Sequence, residues 1–166
     1  YILNNDADSQ TIQKVNQFDT ADGLYDCCWT EENENQLVSV SGDGSVKIWD
    51  TASLENPVRD MMEHSKEVYC VDWNLASKDT FLTASWDNSL KLWSATENAS
   101  LETFDEHKYC VYSCAWKPSS SDVFASASGD HSVKVWSTEE LSSVLTIAAH
   151  GGYEVLACDW NKYNEN

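Results

Sequence analysis

Short runs that alternate between apolar and polar residues occur throughout the chain, and turn-forming residues separate them. The clearest set reads EVYCVDW (67–73), TFLTASW (80–86), SLKLWS (89–94) and SLETF (100–104). Successive side chains of a strand point to opposite faces of a sheet, so alternation over this length predicts β-strands. The intervening NLASKD, DN and ATEN contain residues typical of turns. The pattern therefore predicts an all-β chain built from sets of four strands.

The four-strand set recurs at a nearly constant interval. Two series of tryptophans mark it, with members 43 or 44 residues apart: Trp29, Trp73, Trp116 and Trp160, and Trp49, Trp93 and Trp136. A period near 43 is that of a four-stranded propeller blade. We expect complete blades at 23–63, 67–106 and 110–149, the end of a preceding blade at 1–18 and the start of a following one at 153–166. Because propellers close with about 4–8 blades, this is an incomplete arc of a β-propeller.

The charge balance limits the partners that the chain binds. Its 166 residues include 28 Asp and Glu but 10 Lys and Arg, which gives a formal net charge of −18. Such a chain favours basic partners and is not expected to bind nucleic acid. No apolar run approaches the ~20 residues of a membrane-spanning helix, and no signal peptide is recognisable, so we expect a cytosolic protein without membrane insertion. Because the chain begins at Tyr1 rather than Met, we expect it to be part of a longer protein.

The six cysteines are predicted to be free thiols. They form no CxxC pair and no Cys/His cluster of zinc-finger spacing. Cys27, Cys114 and Cys158 each lie two residues before a repeat tryptophan, where the second repeat has Val71. A position that accepts Cys or Val behaves as a small apolar one. We therefore expect no metal and no cofactor.

The repeat resembles that of the WD-repeat family, with a His near its start and a Trp-Asp or Trp-Ser pair near its end. The resemblance implies a propeller in which a His, a Ser, an Asp and a Trp of each blade form a buried hydrogen-bonded tetrad. By position, the tetrads are His64, Ser85, Asp87 and Trp93 in one blade and His107, Ser128, Asp130 and Trp136 in the next. In the first blade Thr20 stands where the His is expected, so that tetrad is incomplete.

A Ser, a His and an Asp also suggest a hydrolase. A catalytic set is needed once, however, whereas this one returns at constant spacing with a Trp attached. None of its serines lies in a GxSxG turn. The repetition indicates a structural role, and we expect no enzymatic activity.

Four stretches resemble a narrower group within the family. They are FDTADGLYDCCW (18–29), EHSKEVYCVDWN (63–74), DVFASASGD (122–130) and EVLACDWNKYNEN (154–166). Together they resemble the peroxisomal receptors for type 2 targeting signals. The resemblance implies a receptor that shuttles between cytoplasm and peroxisome and binds the N-terminal signal helix of matrix proteins such as thiolase. It also implies an import co-receptor and the peroxisomal docking machinery as partners.

Three acidic residues match the cargo-facing acids of those receptors. Asp22, Glu67 and Glu154 lie 7, 6 and 6 residues before a repeat tryptophan, where the chain enters an innermost strand. Because innermost strands surround the central opening of a propeller, we expect the three acids on one rim. There they would face the basic residue of the targeting signal. Cys110 occupies this position in the third blade and interrupts the ring of acids.

Two other interpretations fit the repeat. WD-repeat histone chaperones carry phrases close to EVYCVDWNL and hold a basic helix with acidic residues, but this chain lacks their long N-terminal helix and acidic side loop. A generic WD-repeat scaffold would have the tetrads without a helix-sized pocket between Asp22 and Glu67. The receptor is the favoured hypothesis.

Overall fold

The computed structural model describes residues 1–6, 11–53 and 56–163, and the regular structure in these ranges consists of β-strands. A two-stranded antiparallel sheet comes first, formed by β1 (Ile2–Asp6) and β2 (Thr11–Asn16). Residues 7–10, 54–55 and 164–166, which belong to the predicted units at 1–18, 23–63 and 153–166, lie outside the described residues.

Three four-stranded antiparallel sheets follow, each with its strands in chain order. Blade 1 contains β3 (Leu24–Trp29), β4 (Gln36–Ser41), β5 (Val46–Asp50) and β6 (Arg59–Met61). Blade 2 contains β7 (Val68–Trp73), β8 (Thr80–Ser85), β9 (Leu90–Ser94) and β10 (Glu102–Phe104). Blade 3 contains β11 (Val111–Trp116), β12 (Val123–Ser128), β13 (Ser132–Ser137) and β14 (Ser142–Ala148). The predicted all-β, blade-type architecture is confirmed.

The hydrophobic core lies between neighbouring blades. One cluster joins blade 1 to blade 2 and includes Val38, Ile48 and Trp73; a second joins blade 2 to blade 3 and includes Leu82 and Phe124. The middle strands therefore have both faces covered, and residues 81–85 of β8 are buried without a break. This explains why the interior strands read as nearly continuous small and apolar residues.

Side chains of one innermost strand also accept hydrogen bonds from the backbone of the next. Asp26 of β3 accepts from the Val71 amide at 3.0 Å, and Asp72 of β7 accepts from the Trp116 amide at 2.7 Å. These contacts place β3, β7 and β11 side by side. The starting points of the three innermost strands consequently lie along one edge of the arc.

The first strand predicted for a following blade, at 153–160, is not assigned as a strand. No segment among the described residues pairs with it as β8 pairs with β7. It nevertheless packs against blade 3, because the Trp160 indole donates to the Ala115 carbonyl at 2.9 Å and Val155 is buried. The segment thus lies beside β11 as β11 lies beside β7.

All six cysteines are free thiols. Within the described ranges, no three His, Cys, Asp or Glu side chains are grouped so that they could hold a metal ion. In that same part of the chain, no helix has the length and apolar character needed to cross a membrane.

Candidate functional site

Each innermost strand begins with a β-bulge, and each bulge carries a tyrosine. The register of β3 against β4 steps from Leu24 to Asp26, which leaves Tyr25 without a partner. Tyr69 in β7 and Tyr112 in β11 are bypassed in the same way. A bulge redirects a side chain out of the regular alternation and is frequent beside functional sites. The repeat therefore turns one ring per blade towards the same edge of the arc.

These rings and one tryptophan form a continuous cluster, which we call the aromatic stack (Tyr25, Tyr69, Trp86 and Tyr112). Tyr25 stacks on Tyr69 with ring centroids 4.7 Å apart, and Tyr69 stacks on Trp86 at 5.5 Å. Tyr112 stands edge-on to both Tyr69 and Trp86, at 5.7 and 6.1 Å. Aromatic pairs in such geometries attract each other beyond the effect of area burial. The cluster spans the entry points of the three described blades.

Trp86 is specific to blade 2. The equivalent turn residues of blades 1 and 3 are Gly42 and Gly129. The equivalence follows from the backbone, since the amides of Gly42, Trp86 and Gly129 donate to the carbonyls of Gly23, Glu67 and Cys110, respectively. A Cβ atom added to Gly129 would lie 2.5 Å from the Tyr109 ring. Blade 2 has Lys66 in place of that tyrosine, and a flexible side chain leaves room for the indole.

The predicted acid Asp22 lies next to the aromatic stack. A Cβ atom at Gly42 would be 3.1 Å from the Asp22 carboxylate and 3.2 Å from the Tyr25 ring, so the two side chains adjoin the same point. Asp22 is exposed. It corresponds to Lys66 of blade 2, one residue before the position of Glu67.

Glu154 contacts the stack directly at its other end. The Tyr112 hydroxyl donates to the Glu154 carboxylate at 3.3 Å. Burial, followed by the Glu154 charge, raises the pKa of the Tyr112 phenol. Glu154 itself is exposed and also adjoins Gly129.

Glu67 and Glu154 both lie near Cys110. Burial raises the pKa of the Cys110 thiol, the Glu154 and Glu67 carboxylates add to the increase, and Lys66 opposes it. The Cys110 thiol lies 3.7 Å from the Trp86 carbonyl. The structure thus brings two of the three predicted acids around Cys110 beside Trp86, and the third beside Tyr25.

The tetrad residues form a second, buried arrangement. In blade 2, His64 Nδ1 lies 2.8 Å from the Asp87 carboxylate, and His64 Nε2 lies 2.8 Å from the Thr83 hydroxyl. The Trp93 indole donates to the same Thr83 hydroxyl at 2.9 Å. Blade 3 repeats this arrangement with His107, Asp130, Ser126 and Trp136 at 2.7 to 2.8 Å.

The hydroxyl in each tetrad therefore differs from the predicted one. Ser85 donates to the Glu67 carbonyl at 2.8 Å, and Ser128 donates to the Cys110 carbonyl at 2.9 Å, so both hold the start of an innermost strand. The physical reason is register. Phe81 pairs with Trp93, so an indole on that face reaches the diagonal neighbour Thr83, whereas Ser85 is two residues further along.

Blade 1 lacks the histidine and uses an aromatic ring instead. Thr20 donates to the Asp22 carbonyl at 2.9 Å and does not replace an imidazole. The Trp49 indole still donates to Ser39 at 2.8 Å, and Phe18 stacks on Trp49 with centroids 4.6 Å apart. The loop that carries Asp22 is therefore held by ring packing.

The electrostatics of the tetrads fit a structural role. Although burial alone would raise it, the pKa of Asp130 falls to about 2 because the Ser132 hydroxyl, the Lys108 amide and His107 donate hydrogen bonds to the carboxylate. The pKa of Asp87 is likewise lowered, against the effect of burial, by His64 and Ser89. Burial also lowers the pKa of His107. Each ionised Asp holds the start of its own blade to its central turn.

A family model described as WD domain, G-beta repeat matches residues 12–50, 55–94 and 98–137, well over half of the chain. The chain therefore belongs to the WD-repeat family. Each matched repeat starts near the outer strand of one blade and ends with the third strand of the next, so repeats and blades are offset by one strand.

Within that family the chain is similar to proteins named as receptors for the peroxisomal targeting signal 2. It is 55% identical over 96 residues to the Peroxisomal targeting signal 2 receptor of Dictyostelium discoideum. This matched stretch covers 57% of this chain and 30% of that protein. It is 50% identical over 86 residues to Peroxisome biogenesis protein 7 of Arabidopsis thaliana, covering 51% and 27%. The human Peroxisomal targeting signal 2 receptor is 42% identical over 100 residues, covering 60% and 31%. The chain thus spans less than a third of the length of these relatives.

The residues of the aromatic stack are not among the site residues predicted from the sequence. The signal is visible afterwards, because Tyr25, Tyr69 and Tyr112 each precede a repeat tryptophan by four residues. Trp86 could have been found as the residue that breaks the Ser-Gly-Asp pattern of the sister turns at 41–43 and 128–130.

Proposed function

We propose that the full-length protein is a non-enzymatic receptor for the type 2 peroxisomal targeting signal, and that this chain contributes part of its cargo-binding rim. The names of the similar proteins support this function. The observation that carries it is the grouping of acids and aromatic rings at the entry points of the innermost strands, where Tyr112 meets Glu154. An acidic rim with apolar rings suits an amphipathic basic helix.

In this proposal Asp22, Glu67 and Glu154 face the basic residue of the signal. Asp22 and Glu154 are exposed and Glu67 is half-buried, so their carboxylates remain accessible to a partner. The signal belongs to matrix proteins such as thiolase, and an import co-receptor helps to cover the bound helix. The receptor then carries its cargo from the cytoplasm to the docking machinery of the peroxisome.

Charge reversal at Glu67 tests the proposal. In the full-length protein with its co-receptor, Glu67→Lys should weaken binding of a fluorescent signal peptide by at least about tenfold, because an attraction is replaced by a repulsion. Asp22→Lys and Glu154→Lys should behave likewise. Glu139→Lys, at an exposed position after β13, makes the same change in net charge and should leave affinity nearly unchanged.

A charge-swapped peptide identifies the contact. Changing the basic residue of the signal to Glu should weaken binding to the parent and partly restore binding to Glu67→Lys. Equal affinities of the parent, Glu67→Lys and Glu139→Lys would place the cargo site elsewhere. A parent that binds a histone helix but no signal peptide would favour the histone-chaperone interpretation.

A further inference from the structure

Trp86 forms one end of the aromatic stack. The Tyr69 ring lies between those of Tyr25 and Trp86. Its plane is inclined by 29° to the Tyr25 ring and by 14° to the Trp86 ring. Tyr112 is nearly equidistant from Tyr69 and Trp86 and perpendicular to both, so it lies beside the two rings rather than over their faces. Among the described residues, no further ring stacks on the face of Trp86 that points away from Tyr69.

The surroundings of this end are anionic. The Trp86 amide donates to the Glu67 carbonyl at 3.0 Å. The Glu154 carboxylate accepts from the hydroxyl of Tyr112, whose ring centroid lies 6.1 Å from that of Trp86. The charge of Lys66 opposes the effect of these two acids on the pKa of the neighbouring Cys110 thiol. An aromatic face with two adjacent carboxylates attracts a cation by the ring quadrupole and by charge.

The shape of the site favours one kind of cation. A guanidinium group is planar and weakly hydrated, so it stacks on an indole while its edge donates to carboxylates. An ammonium group is compact and strongly hydrated, and it loses more on leaving water. We infer that Trp86, with Glu67 and Glu154, forms a guanidinium site that makes the receptor prefer Arg to Lys at the basic position of a bound peptide. This inference rests on the proposed function and adds a specificity-determining residue to it.

Trp86 is well suited to a clean substitution. Its Nε1 is buried and has no hydrogen-bond partner among the described residues, so removal of the ring breaks no such bond. Gly42 and Gly129, which occupy the same turn position in the sister blades, have φ angles outside the left-handed region. Trp86→Gly thus reproduces a turn that the chain already uses twice.

The test compares two signal peptides that differ only in Arg or Lys at the basic position. The full-length parent with its co-receptor should bind the Arg peptide about three- to tenfold more tightly. Trp86→Gly and Trp86→Leu should bring the ratio of the two dissociation constants close to one, while Trp86→Phe should keep part of the preference. Affinity for the Lys peptide reports whether each variant is folded and competent to bind.

The possible results separate the two proposals. An unchanged Arg-to-Lys ratio in Trp86→Gly, with both peptides still bound, would overturn the guanidinium site and leave the receptor function intact. Retention of the full preference by Trp86→Leu would also overturn it, because leucine has no π face. Failure of the parent to bind either peptide would overturn the receptor function and this inference with it.

Discussion

The hydroxyl group of Thr83 connects His64 to Trp93, at 2.8 Å from the imidazole Nε2 and 2.9 Å from the indole Nε1. The indole N–H only donates, so the Thr83 oxygen accepts from it. When the imidazole is neutral and its Nδ1–H donates to Asp87, Nε2 is left as the acceptor for the Thr83 hydroxyl proton. Four side chains thus form a chain of hydrogen bonds. Trp93 of β9 donates to Thr83 of β8, Thr83 donates to His64 in the loop before β7, and His64 donates to Asp87 in the turn between β8 and β9.

Replacement of Thr83 by Val should destabilise blade 2. Valine has nearly the same shape but leaves His64 Nε2 and Trp93 Nε1 buried without a partner. We expect a loss of about 2–4 kcal/mol in the free energy of unfolding of the full-length protein, measured by denaturant titration. Thr96→Val removes a hydroxyl from an exposed turn and should cost almost nothing. Coincident unfolding curves for the two variants would contradict a structural role for the tetrad.

Much of this arrangement could be predicted from spacing alone. His64 and His107 each precede an Asp by 23 residues. The His and the Asp of each pair lie in connections between strands, and the repeat fixes the positions of these connections. The hydroxyl could not be located in this way, because Ser85 and Ser128 recur as regularly as Thr83 and Ser126. Only the pairing register of the strands shows which hydroxyl an indole reaches.

The aromatic stack could not be predicted from the alternation of residues, for a related reason. Simple alternation assigns a face to every residue of a strand, but a bulge shifts the register by one residue at Tyr25, Tyr69 and Tyr112. The acids were easier to find, since they lie outside the strands and beside fixed markers. Spacing from the repeat tryptophans thus predicts where the three acids lie along the chain, whereas the meeting of the tyrosine rings depends on the bulges.

Asp72 is a buried carboxyl group with an unusual protonation equilibrium. Burial raises its pKa to about 6, the nearby Asp26 and Asp159 carboxylates add to the increase, and the hydrogen bond from the Trp116 amide opposes it. Because the folded-state pKa lies above the ordinary value, the folded protein binds this proton more tightly than the unfolded chain. The group therefore adds stability as the pH falls through 6 towards 4, and reduces stability at higher pH.

Substitution of Asn for Asp72 should remove this pH dependence. The amide oxygen can still accept from the Trp116 amide, while the charge is gone. At pH near 8 we expect the variant to be more stable than the parent by up to about 3 kcal/mol, and the difference should shrink as the pH approaches about 4. Asp79→Asn, at an exposed turn position, serves as the control in unfolding titrations across this pH range. A difference between Asp72→Asn and the parent that does not vary with pH would show that Asp72 does not titrate in this way.

Lys66 is the exception in the acidic rim. It occupies the position that Asp22 occupies in blade 1. The next residue in each blade, Glu67 after Lys66 and Gly23 after Asp22, accepts the equivalent backbone hydrogen bond from the central turn. Its charge lowers the pKa of the Cys110 thiol, which the charges of Glu67 and Glu154 raise. A basic ligand that approaches these carboxylates therefore meets one opposing charge.

On the proposed receptor function, replacement of Lys66 by Asp should strengthen binding of the signal peptide to the full-length protein. The substitution removes a repulsion and gives blade 2 the acid that blade 1 already has. A unit charge about 8 Å from the ligand's charge contributes about 0.5 kcal/mol in a water-like environment, and the substitution changes the charge by two units, or about 1 kcal/mol. We therefore expect affinity to rise about three- to tenfold at low salt and the gain to shrink as salt screens the interaction. Lys14→Asp, at an exposed position of β2, makes the same change in net charge. Peptide titrations of the two variants at low and high salt distinguish a local effect from a bulk one: an equal gain in both would mean that net charge attracts the peptide, and no gain in Lys66→Asp would mean that the bound peptide does not pass over the start of β7.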